Sequence, residues 1–158
     1  MSIILIEAAS VIFGSIALVV PKLLNPKVKF TCIAISEFSD FDNCKNVYRF
    51  SLALCYLTNS IALYLYIGPI GLLFLTTLIS VFAKCSTKLH LITAFIGFSL
   101  YSVANIIYNP LFLFNYLPLL AFLYTIATYL NKKVDSIGLV CLTYSAAILM
   151  ILNTIMRS

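Results

Sequence analysis

Between Ile3 and Pro21 the only ionisable side chain is Glu7, and comparable apolar runs recur along the rest of the chain. A helix needs about 20 mostly apolar residues to cross a bilayer core, with about 17 as the lower limit. Charges and Pro/Gly breaks punctuate six such runs, over residues 3–21, 51–67, 70–83, 89–108, 111–130 and 136–156. They are continuous rather than alternating, which points to helices and away from a barrel. The composition agrees, with 63% of the 158 residues apolar and 9% charged, against about 45–50% and about a quarter in soluble domains. The mean hydropathy is +1.09. Too little polar surface remains to cover a water-soluble globule, and disorder would need the opposite balance. The expected fold class is therefore all-α, a polytopic membrane protein. Residues 1–158 form a single transmembrane domain, a bundle of six transmembrane helices in the lipid bilayer.

Charge orients that bundle. The segments 22–49, 84–88 and 131–135 share one side and carry Lys22, Lys27, Lys29, Lys45, Arg49, Lys84, Lys88, Lys132 and Lys133, nine of the ten basic residues. The turns at Gly68-Pro69 and Asn109-Pro110 carry none, and only Arg157 lies beyond them. Lys and Arg in short loops mark the cytoplasmic side. Segment 22–49 is then cytoplasmic and both termini lie outside, an N-out/C-out topology. The net charge of +5 reads as membrane-flanking charge rather than a nucleic-acid footprint, so no nucleic acid is expected as a partner. The start, Met1-Ser2-Ile3-Ile4, lacks a basic n-region, and the first run reads as a retained span. The bacterial inner (plasma) membrane is the expected location, with an organellar inner membrane as the other setting of the same orientation.

Segment 22–49 alone has room for structure outside the bilayer. It opens basic, passes through the apolar Phe30-Thr31-Cys32-Ile33-Ala34-Ile35, and turns acidic at Glu37, Asp40 and Asp42. Phe30, Ile33, Phe38 and Phe41 suit an in-plane helix at the headgroup boundary. A solvated connector and a docking surface for another subunit are the competing readings. The carboxylate spacing does not fit a calcium loop, and no metal site is expected.

Within the runs, ionisable groups are costly and mark function when present. Glu7 is the one example, near the outer end of the first run, where it either snorkels to the interface or faces a cavity that takes a cation or amine. Amides are more frequent: Asn59 mid-run, Asn105 and Asn115 on either side of the Asn109-Pro110 turn, and Asn153 near the end. Glu7, Asn59, Asn105 and Asn115 form the candidate substrate-binding set, biased to the outer leaflet. Interhelical hydrogen bonds, at about 1 kcal/mol each, are the commoner use of such residues. Pro118 removes a backbone donor and is expected to kink the fifth helix. Ser10 and Gly14, with Ala17 beyond, make a small-residue face for close packing in the first helix. Tyr64, Tyr66, Tyr108 and Tyr116 near the outer boundary, and Tyr48 and Tyr129 near the inner one, read as an aromatic belt.

Chemistry has little to work with. The five cysteines, Cys32, Cys44, Cys55, Cys85 and Cys141, are odd in number and contain no CxxC, so they read as reduced packing residues. His90 is the single histidine. With no HExxH, GxSxG, GxGxxG or P-loop, neither an enzyme nor a cofactor is expected, and no catalytic residue is assigned.

From Tyr48 to about Asn153 the order of features resembles the bacterial YgjV-type inner-membrane proteins, themselves loosely similar to SWEET and PQ-loop transporters. The residues concerned are Tyr48-Arg49-Phe50 opening a helix, the Gly68-Pro69 hairpin, Leu78-Ile79-Ser80 before a basic loop, and Tyr108-Asn109-Pro110 leading into the next run. The long 22–49 segment and the absence of a seventh run depart from that pattern. The resemblance implies a carrier-like bundle for a small solute and transfers no binding residues. Two functions are expected from different classes. One is a small transporter-like protein, alone or as a homo-oligomer. The other is a non-catalytic accessory subunit of a larger membrane complex.

Overall fold

The computed structural model describes residues 3–28, 35–83 and 88–130, together with the isolated positions 148 and 152. Every described element is helical, and no strand occurs among the described residues. The α-helices are α1 (Ile3–Leu24), α2 (Lys45–Ile67), α3 (Thr76–Phe82), α4 (Lys88–Tyr108) and α5 (Leu117–Leu130), with 3-10 turns over Ile35–Asp40, Gly68–Leu75 and Leu113–Tyr116. The sixth run, 136–156, lies outside the described residues apart from those isolated positions. Cys32, Cys85, Cys141 and Asn153 lie outside them as well.

Two stretches, Ile3–Leu24 and Lys45–Phe82, are long and apolar enough to cross a membrane, and the apolar part of α4, Ile92–Ile107, is shorter. The second stretch is not one straight rod. At Gly68 the backbone takes φ 71°, a left-handed conformation that glycine adopts without steric cost. The chain reverses there, and the Gly68–Leu75 turn and α3 run back along α2. Pro69 sits at the start of the returning arm, where its missing N–H costs no bond. The arm is extended by its geometry. Eight residues in 3-10 form rise about 2.0 Å each instead of about 1.5 Å, a gain of about 4 Å over an α-helix of the same residues. That lengthens the shortest of the six apolar runs.

At the other end of α1, Pro21 sits inside the helix and Asn25 closes it, its Nδ2 donating to the Pro21 carbonyl at 3.0 Å. Lys22 bends over the same end, its Nζ donating to the Pro26 carbonyl at 2.8 Å and to that of Val28. The cation thus ties the segment after α1 back over the negative end of the helix dipole. The Asn25 and Asn43 amides exchange bonds at 3.2 and 3.1 Å, which fastens the end of α1 to the turn that opens α2.

A small core lies under this junction. Phe38 is fully buried with Ala17, Cys44 and Tyr48, its ring 6.4 Å from that of Tyr48 and 5.8 Å from that of Phe41. Two expectations are corrected here: Phe38 faces the protein interior rather than the headgroup boundary, and Tyr48 is a core residue rather than part of a belt. Phe30 and Ile33 lie outside the described residues. Beside this core, burial pushes the Cys44 thiol above its ordinary pKa, so it stays protonated, while Lys45 holds the exposed Asp42 carboxyl below its own across a 2.6 Å ion pair.

The main core joins α2, the returning arm and α4. Tyr56 packs edge-on against Phe74 at 5.4 Å and Phe98 at 6.1 Å, and Phe74 meets Tyr101 at 5.1 Å. Beyond this apolar core, the described helices bury many polar side chains and expose many large apolar ones. Glu7, Ser10, Asn59, Ser60, Thr77, Ser102, Asn105 and Asn115 are buried, while Leu5, Ile12, Val19, Leu23, Phe50, Ile107 and Leu120 are exposed.

Candidate polar seam between the first two helices

Helices α1 and α2 pack along a stripe on α2 that reads Tyr48, Leu52, Cys55, Asn59, Ala62 and Tyr66, the three-and-four spacing of one helix face. Opposite it, Ser10 donates its hydroxyl to the Cys55 carbonyl at 3.0 Å. The expected small-residue face of α1 meets this stripe, for a Cβ on Gly14 would stand 3.3 Å from Cys55 Sγ. Glu7 lies one turn of α1 beyond Ser10. It is only 4% exposed, and its Oε2 accepts from the Tyr66 hydroxyl at 3.5 Å. Asn59 is four residues past Cys55 and seven before Tyr66, which places it between them on the stripe and level with the Glu7 turn. It is 6% exposed, and its Nδ2 has no hydrogen-bond partner among the described residues. A buried amide donor left unpaired costs about 1–3 kcal/mol, so this position sacrifices stability that a leucine would not.

The other two candidates serve the chain itself. Asn115 Nδ2 donates to the carbonyls of Asn105 and Asn109, both at 2.9 Å, and so caps the last turn of α4. Ser102 Oγ donates back to the Asn115 carbonyl, and Asn105 Nδ2 donates to the Tyr101 carbonyl at 2.7 Å. The structure thus divides the expected set into two pairs. Glu7 and Asn59 lie on the α1–α2 seam, whereas Asn105 bonds back one turn inside α4 and Asn115 donates to backbone at the turn after it, its buried Oδ1 without a partner among the described residues. Pro118 also changes meaning. It is the second residue of α5, in the first turn, where its missing N–H removes no intrahelical bond. The expected kink is replaced by a helix start after the Leu113–Tyr116 turn.

Two side chains acquire roles that their sequence positions did not suggest. Tyr66, read as belt, reaches Glu7; its spacing from Asn59, two turns along one face, was the available signal. His90 Nδ1 lies 2.6 Å from the Ser80 carbonyl. It satisfies one of the free carbonyls at the end of α3 and pins that helix to α4.

Comparison with protein-family models, with characterised proteins and with solved structures finds no match to this chain. The α1–α2 seam therefore stands on its own chemistry: the buried Glu7 carboxylate, the half-buried Tyr66 phenol, and the buried Asn59 amide whose Nδ2 has no partner among the described residues.

Proposed function

We propose that the protein is a six-span integral membrane protein, N-out and C-out, that carries a small solute, with Glu7 and Asn59 in its binding site. The observation that carries this reading is the unpartnered Asn59 amide on the same seam as the buried Glu7 carboxylate. A purely structural bundle gains nothing from an amide it leaves unpaired, whereas a solute with an acceptor group would complete it. The two membrane-length stretches and the outward-facing leucines and isoleucines support the bilayer setting. The charge asymmetry sets the orientation, and a bacterial inner membrane is the setting that the YgjV-type resemblance favours. Tyr66 joins the site as the hydroxyl that orients Glu7. Asn105 is left to its bond within α4 and Asn115 to the turn it caps.

The accessory-subunit reading rests on the apolar helix faces and segment 22–49, and the burial of Phe38 inside the fold takes one apolar side chain of that segment out of the surface. Uptake by cells or vesicles tests the choice. Glu7→Gln and Asn59→Leu are each expected to lower solute uptake at least tenfold at normal protein level, and Tyr66→Phe to lower it less. Unchanged uptake in both Glu7→Gln and Asn59→Leu would sink the transporter reading. Co-purification in a stoichiometric complex would then make the accessory role primary.

A further inference from the structure

We infer that the turn between α4 and α5, residues 109–116, is an interfacial anchor that lays Leu111, Leu113 and Phe114 among the acyl chains of the outer leaflet. The inference rests on the membrane setting above but not on transport. No Asp, Glu, Lys or Arg occurs between Lys88 and Lys132, so nothing charged holds this turn in bulk water. Its depth follows from length. With Lys88 at the inner boundary, the 21 residues of α4 rise about 30 Å, the thickness of a bilayer core, and bring the turn to the outer boundary. There its side chains are sorted. Leu111 is 89% exposed, Leu113 78% and Phe114 48%, flanked by the exposed Ile107 of α4 and Leu117 and Leu120 of α5. Asn115, by contrast, is fully buried, Phe112 packs against the main core, and Asn109 is half-exposed, at the headgroup level.

The backbone of the turn says independently what covers those side chains. The Asn109 carbonyl accepts from Asn115 Nδ2 at 2.9 Å, and the Pro110 carbonyl accepts from the Tyr116 hydroxyl at 3.1 Å. The Phe112 and Phe114 carbonyls accept from the N–H groups of Asn115 and Leu117, and the Asn115 carbonyl accepts from the Ser102 hydroxyl. On the donor side, the N–H groups of Asn109, Phe112 and Asn115 reach carbonyls three or four residues back, and Pro110 has no N–H to satisfy. A turn in water finds such partners in solvent. At a lipid boundary each unpaired group is costly, and irregular backbone must be satisfied from within the protein. A turn that supplies its own hydrogen bonds while exposing two leucines and a phenylalanine is therefore matched to lipid.

The chain has no tryptophan, so one introduced indole reports its own surroundings. Leu111→Trp and Leu113→Trp replace exposed side chains and leave the internal bonds of the turn in place, and either serves if the other does not fold. The full-length variants are placed in phosphatidylcholine vesicles and met by two quenchers, phosphatidylcholine brominated on the upper part of its acyl chains, and iodide on both sides of the membrane. Each is expected to lose more than half of its indole emission to the bromolipid and little to iodide, as is Ile107→Trp on the exposed side of α4. Lys27→Trp, in the basic segment, is expected to show the opposite preference. Iodide quenching at 111 and 113 that equals or exceeds bromolipid quenching, with Ile107→Trp still quenched by lipid, puts the turn in water and overturns the proposal. Protection from both quenchers overturns it too, because the sixth run or a second copy would then cover the turn. Iodide quenching of Ile107→Trp as well removes the membrane setting itself, and the anchor with it.

Discussion

Gly71→Ala is expected to disrupt the reversal after α2. A Cβ at this position would lie 2.4 Å from the carbonyl carbon of Leu63 and from the backbone nitrogen of Tyr64. Those atoms belong to the α2 backbone and cannot swing aside as a side chain would. Overpacking a tight core costs about 1–3 kcal/mol, occasionally more, and an obstacle made of backbone puts this case at about 3 kcal/mol or above. Against typical stabilities of about 5–15 kcal/mol that is a large loss. Gly68→Ala is the informative control. Gly68 has φ 71° and ψ −151° but nothing within 4 Å of an added Cβ, so it faces only conformational strain of about 1–3 kcal/mol. Denaturant or thermal unfolding of the purified variants should rank Gly71→Ala well below Gly68→Ala. The reverse order would mean that the returning arm does not approach α2 as closely as described.

Gly97→Ala should produce the second large effect, with a remedy built into it. Its Cβ would fall 1.8 Å from Thr77 Cγ2, 3.1 Å from Thr77 Cβ and 3.4 Å from the Thr77 nitrogen. The worst overlap is thus with one methyl group, at the point where α3 crosses α4. The single substitution is expected to cost about 2–3 kcal/mol. Thr77→Ser removes that methyl while keeping the hydroxyl, which donates to the Phe74 carbonyl at 2.6 Å. The double variant Gly97→Ala/Thr77→Ser should then recover more than half of the loss, a coupling that a double-mutant cycle reads directly. Additive losses would show that α3 and α4 do not meet at this pair.

These glycines show what the sequence could and could not disclose. The breaks at Gly68-Pro69 and Asn109-Pro110 were legible because glycine and proline alter the backbone directly, whatever surrounds them. The 3-10 form of Gly68–Leu75 was not, since it follows from how closely the arm packs on α2, and its apolar residues suit either helix type. Arg49 bounds the apolar run 51–67, so the sequence marks a span from Ser51 rather than the start of its helix. The helix begins at Lys45, for charge decides where lipid ends and not where hydrogen bonding ends.

The candidate site was half legible for a similar reason. Hydropathy identifies a polar residue that is out of place, as it did for Glu7, Asn59, Asn105 and Asn115, but it does not say what that residue touches. Asn115 spends its Nδ2 on the Asn105 and Asn109 carbonyls at a helix end, while its buried Oδ1 has no partner among the described residues. Asn105, inside α4, turns its amide back to the Tyr101 carbonyl, whereas Asn59, inside α2, leaves its Nδ2 without a partner among the described residues. Phe38 and Tyr48 likewise read as interfacial aromatics until their rings are seen to pack on each other beneath the α1–α2 junction.

The central claim is the placement of these helices in a bilayer with the basic segments on one side. Single cysteines on a cysteine-free background, at Ser2, Asn109 and Ser158 for one face and at Lys27 and Lys133 for the other, test it most directly with a membrane-impermeant maleimide on intact cells. The account predicts rapid labelling at Ser2, Asn109 and Ser158, and labelling at Lys27 and Lys133 only after the membrane is opened. Labelling of Lys27 and Lys133 in intact cells, or of Ser2 and Ser158 from opposite sides, would contradict it.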